Sequence, residues 1–194
     1  MIRILILAAA LAAAGCSSNG GGVGASFDTR RNAGPCPTAG AIYDMSRVIE
    51  FSGGEERFGD IAYTAEIVGV RLFCRYVGGD PILAEVEIDF AFGKGPQGQA
   101  SRHEFPYFVS VTRRSGKVLS KAGFVVEAEF GREQVTSKTD LVGRILIPRS
   151  DETISGVNFE VLIGFELTEE QLAFNRAGNR FRLDAGPLAG DAAP

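Results

Sequence analysis

The sequence predicts an all-β fold made of two packed antiparallel sheets, with one short helix near the C-terminus. Three observations predict it. Apolar and polar residues alternate with a period of two, most clearly from Glu85 to Phe92 and from Val157 to Leu167. Turn-forming residues separate the segments, at Gly53-Gly54, Gly78-Gly79-Asp80-Pro81 and Gly93-Lys94-Gly95-Pro96. No strand–helix repeat of the kind that builds a parallel sheet is present.

Each element rests on its pattern. Val48 to Phe51 reads as a short strand. Asp60 to Val77 is long enough for two strands, or for one bent by a bulge near Gly69. In the next segment Ala84, Val86, Ile88, Phe90 and Phe92 point one way and Glu85, Glu87 and Asp89 the other, so one face is buried and one is wet. Tyr107, Val109 and Val111 alternate with Ser110 and Thr112, and Ser115-Gly116 makes a hairpin turn into Lys117–Phe130. Val135 to Ile147 is polar at first and apolar at its end, where Pro148 stops it. Val157, Phe159, Val161, Ile163, Phe165 and Leu167 form the last in-phase set. Seven to nine strands of this length fit an immunoglobulin- or fibronectin-like sandwich, with a small barrel as the alternative; the chain has no tryptophan to support a true antibody-type motif. Thr168 and Gln171 have the spacing of a capping box, Glu169 and Glu170 suit the positive end of a helix, and Gly178 or Asn179 can end it. Phe181 and Leu183 are expected to anchor the segment after the helix.

The ends of the chain read differently. Met1-Ile2-Arg3 is short and positive, Ile4 to Ala14 is 11 residues without a polar side chain, and Ala12-Ala13-Ala14-Gly15 is a run of small residues. That order is the signature of a secretory signal peptide, residues 1–15. It is too short for a membrane-spanning helix, which needs about 20 residues. Residues 16–34, rich in Gly and Ser, read as a tether, 35–183 as the folded β-sandwich domain, and 184–194 as a disordered tail. The mature chain has no transmembrane segment by this reading.

Charge excludes one class of partner. There are 20 basic and 24 acidic residues, a net charge of −4, with both signs well mixed. No Lys/Arg run marks a nucleic-acid surface, and no nucleic acid is expected as a partner. Besides Cys16 the chain has Cys36 and Cys74. An even pair in an oxidising compartment predicts a disulfide, worth about 4 kcal/mol in the chain-entropy model; the rival reading is two separate thiols.

Sites for chemistry are sparse. His103 is the chain's one histidine and lies in the polar stretch Gly98–Glu104, where an exposed loop or edge position accounts for it. An acid–base role would need a nucleophile and an orienting group that spacing does not nominate. There is no Gly-x-Ser-x-Gly elbow, and Ser115-Gly116-Lys117 is explained by its turn. Gly93-Lys94-Gly95-Pro96-Gln97-Gly98 lacks the terminal Gly-Lys-Ser/Thr and following helix of a phosphate loop, so a β-hairpin loop is expected. Glu85, Glu87 and Asp89 share one face and would bind Ca²⁺ only with further oxygens from a neighbour; a solvated face paired with Arg or Lys is the simpler expectation. No metal, catalytic residue or cofactor is assigned. Phe105-Pro106-Tyr107-Phe108-Val109 is apolar on both faces, so it is either a central strand covered on both sides or a patch in which Tyr107 and Phe108 meet a partner.

Two resemblances bear on location. Ala13-Ala14-Gly15-Cys16 resembles the lipobox of bacterial lipoproteins, with Ala13 where that family usually has Leu. The resemblance implies lipidation of the Cys16 thiol, cleavage before it and acylation of the new amine; ordinary signal cleavage and simple secretion is the alternative. Ser17 in place of Asp implies, by the same likeness, the outer membrane. Cys36-Pro37, Cys74-Arg75-Tyr76, Lys94-Gly95-Pro96, Phe105–Val109, Val161–Phe165 and Leu172–Arg176 resemble small alphaproteobacterial lipoproteins of uncharacterised function. That likeness implies a lipid-anchored protein on the periplasmic side of the envelope, and no reaction. The expected function is a non-enzymatic structural or interaction module whose partner is an envelope protein or cell-wall component. The alternatives are an apolar-ligand carrier with a barrel-like cavity and a carboxylate-dependent hydrolase.

Overall fold

The structure is a computed structural model and describes residues 34–53, 55–77 and 81–179. Outside them lie the leader, Cys16, nearly all of the tether, the Gly78–Asp80 turn, Phe181, Leu183 and the tail. Among the described residues, eight strands and one α-helix are arranged in order: β1 Thr38–Ala41, β2 Arg47–Phe51, β3 Ile61–Tyr76, β4 Ile82–Lys94, β5 Arg102–Arg113, β6 Val118–Glu129, β7 Val135–Ile147, β8 Phe159–Phe165 and α1 Glu169–Arg176.

The strands form two four-stranded sheets, in the orders β1-β8-β5-β6 and β2-β3-β4-β7. This is the expected all-β sandwich. The pairing is antiparallel except for β1 and β8, which run parallel. The chain leaves β1 still bonded to its partner, with Ile42 N–H donating to the Ile163 carbonyl.

Period-two patterning sends one face of each sheet inward. From β4 these are Ile82, Ala84, Val86, Ile88, Phe90 and Phe92; from β5, Phe105, Tyr107, Val109 and Val111; from β8, Phe159, Val161, Ile163 and Phe165. Where the sheets meet, the contacts are largely aromatic. Phe90 packs on Tyr107 and Phe165 at 5.1 and 5.8 Å between centroids, and Phe92 stacks on Phe105 at 5.4 Å.

The long segment before β4 is one strand, and its bend is a bulge between Ile67 and Gly69. The bulge takes one residue, Val68, out of the pairing, and so changes which parity of residue number faces inward. Ala65 and Ile67 face inward before it; Val70, Leu72 and Cys74 pack against the core after it. At Gly69 a Cβ would stand 2.6 Å from an Asp89 carboxylate oxygen, so a side chain there would have to displace that carboxylate.

Two expectations need correction. The last strand begins at Phe159 and ends at Phe165; Val157 sits in a three-ten turn, Gly156–Asn158, and is exposed. Tyr76 holds this turn by accepting the Gly156 N–H through its hydroxyl, while Ser155 accepts that of Val157. The Gly93–Gly98 loop is not a hairpin, because it carries the chain from β4 in one sheet to β5 in the other. Its glycines serve close approach. A Cβ at Gly95 or Gly98 would lie 2.3 or 2.6 Å from the carbonyl oxygens of Ile61 and Ala62.

Both ends of β3 are tied down by tyrosines. Tyr63 Oη accepts from Ala100 N–H and donates to its carbonyl. Tyr76 Oη donates to the Pro35 carbonyl, beside the Cys36–Cys74 disulfide. The helix carries the expected capping box between Thr168 and Gln171, and Gly178, at φ +78°, lies just past its end. Buried Asn175 docks it by donating to the carbonyls of Asp44 and Arg47. Among the described residues, no helix is long and apolar enough to cross a membrane.

Replacing both Cys36 and Cys74 with Ser is expected to lower unfolding stability by about 2–4 kcal/mol, read by urea denaturation under oxidising conditions. An unchanged midpoint would show that the bridge adds nothing to the Tyr76 contacts beside it.

Candidate interaction surface

The outer face of the β2-β3-β4-β7 sheet is built from residues out of phase with the core. Register places them in rows across β3, β4 and β7. Arg71, Glu87 and Leu141 form one row, and Arg75, Leu83 and Leu146 another. Between these, Phe73 stands opposite Glu85.

At the Gly69 end the charges satisfy one another. Arg71 Nε donates to Glu87 Oε2 at 2.9 Å and Nη1 to Asp89 Oδ2 at 2.6 Å. Thr139 Oγ1 donates to Asp89 Oδ1 at 2.7 Å. Hydrogen bonds from Arg71, then from Thr139, hold the Asp89 carboxyl below the usual carboxylate range. The acidic strand is therefore the solvated, arginine-paired face that its alternation predicts.

At the disulfide end the face is different. Phe73 is 55% exposed and Leu146 61%. Phe73, Arg75, Leu83, Glu85, Gly143 and Arg144 line a shallow groove of about 470 Å³. Neither Arg75 nor Arg144 has an ion-pair partner among the described residues. Arg144 is also the one non-glycine residue described with positive φ, +59°. It is forced there by a second bulge. Ala84 pairs with Ile145 and Val86 with Val142, so Gly143 and Arg144 together oppose Glu85. A left-handed arginine costs about 1–2 kcal/mol, and residues held so are enriched where a side chain must be aimed.

Of the residues singled out from sequence, Cys36 and Cys74 form the disulfide. Cys16 lies outside the described residues. Tyr107 is fully buried and Phe108 5% exposed, so neither is presented to a partner. Tyr107 faces the core, stacked on Phe124, and its hydroxyl donates to Asp140 Oδ2 at 2.7 Å. Phe108 faces outward but is roofed by Lys121, whose Nζ lies 4.1 Å from the ring centroid, and is packed close to Gly164. The central-strand alternative is the one the structure shows.

His103 is not a free loop residue. It sits in β5, stacked on Tyr63 at 3.9 Å, with Nε2 2.8 Å from Glu50 Oε2 but off the line of a hydrogen bond. This contact joins the two sheets. Ser115-Gly116 makes the β5–β6 turn, with Gly116 at φ +85°.

Sequence reasoning passed over Phe73, Leu146 and Arg144. The signal for the first two was present: each is apolar in the polar phase of its strand. Nothing in the local pattern announces the bulge that turns Arg144. No family model, curated protein or solved structure matches the chain.

Burial, then the Asp140 carboxylate, raises the Tyr107 hydroxyl well above the ordinary tyrosine pKa. Because the folded-state value is the higher, its contribution to stability is complete below the unfolded value of about 10 and falls as pH rises past it. Stability measured by denaturant melts is expected to decline above pH about 10, and Tyr107→Phe to flatten that decline. Equal slopes for the two proteins would contradict the assignment.

Proposed function

We propose that this chain is a lipid-anchored, non-enzymatic protein of the bacterial cell envelope, a module that makes contact through the outer face of β3, β4 and β7. The leader and Cys16 support the anchor, and the Cys36–Cys74 disulfide fits an exported, oxidising location on the periplasmic side of the outer membrane. The observation that carries the contact role is the pair of exposed apolar side chains Phe73 and Leu146 at the disulfide end, with half-buried Leu83 on the strand between them. On the other outer face the large ring, Phe108, lies under Lys121.

A photocrosslinking amino acid at position 73 in growing cells is expected to yield an adduct of reproducible mass, while one at exposed Val125 on the opposite sheet yields none. No adduct from position 73 would remove the contact role. Intact-mass measurement is expected to show acylation at Cys16 as the first residue, and an unmodified N-terminus elsewhere would remove the anchor.

A further inference from the structure

We propose that the contact this face makes is with the anionic phospholipid headgroup layer of the membrane that carries the protein. The inference deepens the proposed function by naming the partner of the same surface. Its first ground is composition. A bilayer surface offers apolar depth edged by phosphates. Phe73, Leu83 and Leu146 present apolar groups, and Arg75 and Arg144 present two guanidinium groups without ion-pair partners among the described residues. Arginine suits this position because its stem can lie along apolar surface while its head stays at the polar layer, and its planar fork matches phosphate oxygens.

The second ground is charge distribution along the face. Glu85 is the one carboxylate in the groove, against two arginines. Glu87 and Asp89 are already bonded to Arg71 and lie farther along the strands. A sheet tilted with its disulfide end down brings the cationic and apolar groups to the lipid and keeps the acidic end away.

The third ground is where the chain enters. Gly34 lies against Ser155 and near the hydroxyl of Tyr76, the residue after Arg75. Seventeen residues separate it from Cys16. Even fully extended, a chain of this length reaches no more than about 60 Å. An anchor at Cys16 therefore holds this end of the sandwich within reach of the bilayer.

The test uses the secreted Cys16→Ser protein, which has no lipid of its own, with sedimented vesicles. It is expected to bind vesicles containing phosphatidylglycerol and to bind pure phosphatidylcholine much less. Arg75→Gln with Arg144→Gln is expected to weaken binding to the anionic vesicles about 30-fold, and Phe73→Ser with Leu146→Ser to weaken binding to both kinds. All four positions lie on the outer face, and unchanged circular dichroism would show the variants folded. No binding to the anionic vesicles, or binding indifferent to both double variants, would overturn the proposal. Because Cys16 is absent from this assay, the result is independent of whether the native chain is acylated.

Discussion

The fold depends on a layer of aromatic rings held between two sheets. Phe90, Phe92, Phe105, Tyr107 and Phe165 touch in succession across the sandwich, and each comes from the inward phase of a strand central to its sheet. Rings of this size bury about 150–250 Å² each. Their bulk also sets how closely the sheets approach, with the rings meeting in stacked, tilted and edge-to-face arrangements. Most polar groups lie at the periphery of this layer. The Tyr107 hydroxyl reaches that periphery from within, meeting Asp140 of β7, the edge strand of the facing sheet.

The layer alone would let the two ends of the sandwich fray, and β3 shows how that is prevented. It is the longest strand, and each end carries a tyrosine whose hydroxyl closes a segment of irregular chain: Ala100 at one end, Pro35 and Gly156 at the other. The disulfide joins the second of these clusters, and Arg149 stacks on the same Tyr76 ring. A surface suited to contact is best placed over such a pinned region, since its side chains then keep their spacing.

Much of this was legible in the sequence because alternation encodes burial directly. The Glu85–Phe92 run lies within β4, β7 has the bounds its pattern predicts, and the spacing of Thr168 and Gln171 located the helix start. What was not legible depends on contacts between distant segments. Val157 continues the period of its strand, yet Tyr76, far earlier in the chain, holds the turn that removes it. Gly95 and Gly98 look like hairpin residues until β3 is seen pressed against them. Tyr107 and Phe108 were ambiguous because a strand's own pattern cannot say whether Lys121 will roof its outer face.

The extra residue in β3 has a further consequence. Val68 divides the strand into two halves of opposite parity, odd positions inward before it and even positions after. Were the kink ironed flat with Val68 drawn into the ladder, the downstream half would rotate to present Arg71, Phe73 and Arg75 to the aromatic interior and expel Val70, Leu72 and Cys74 toward water. The disulfide, lodged on the even set, opposes that rotation. A covalent bond at one end of the strand thus acts as a reading-frame lock for the chemistry of the sheet's outer side.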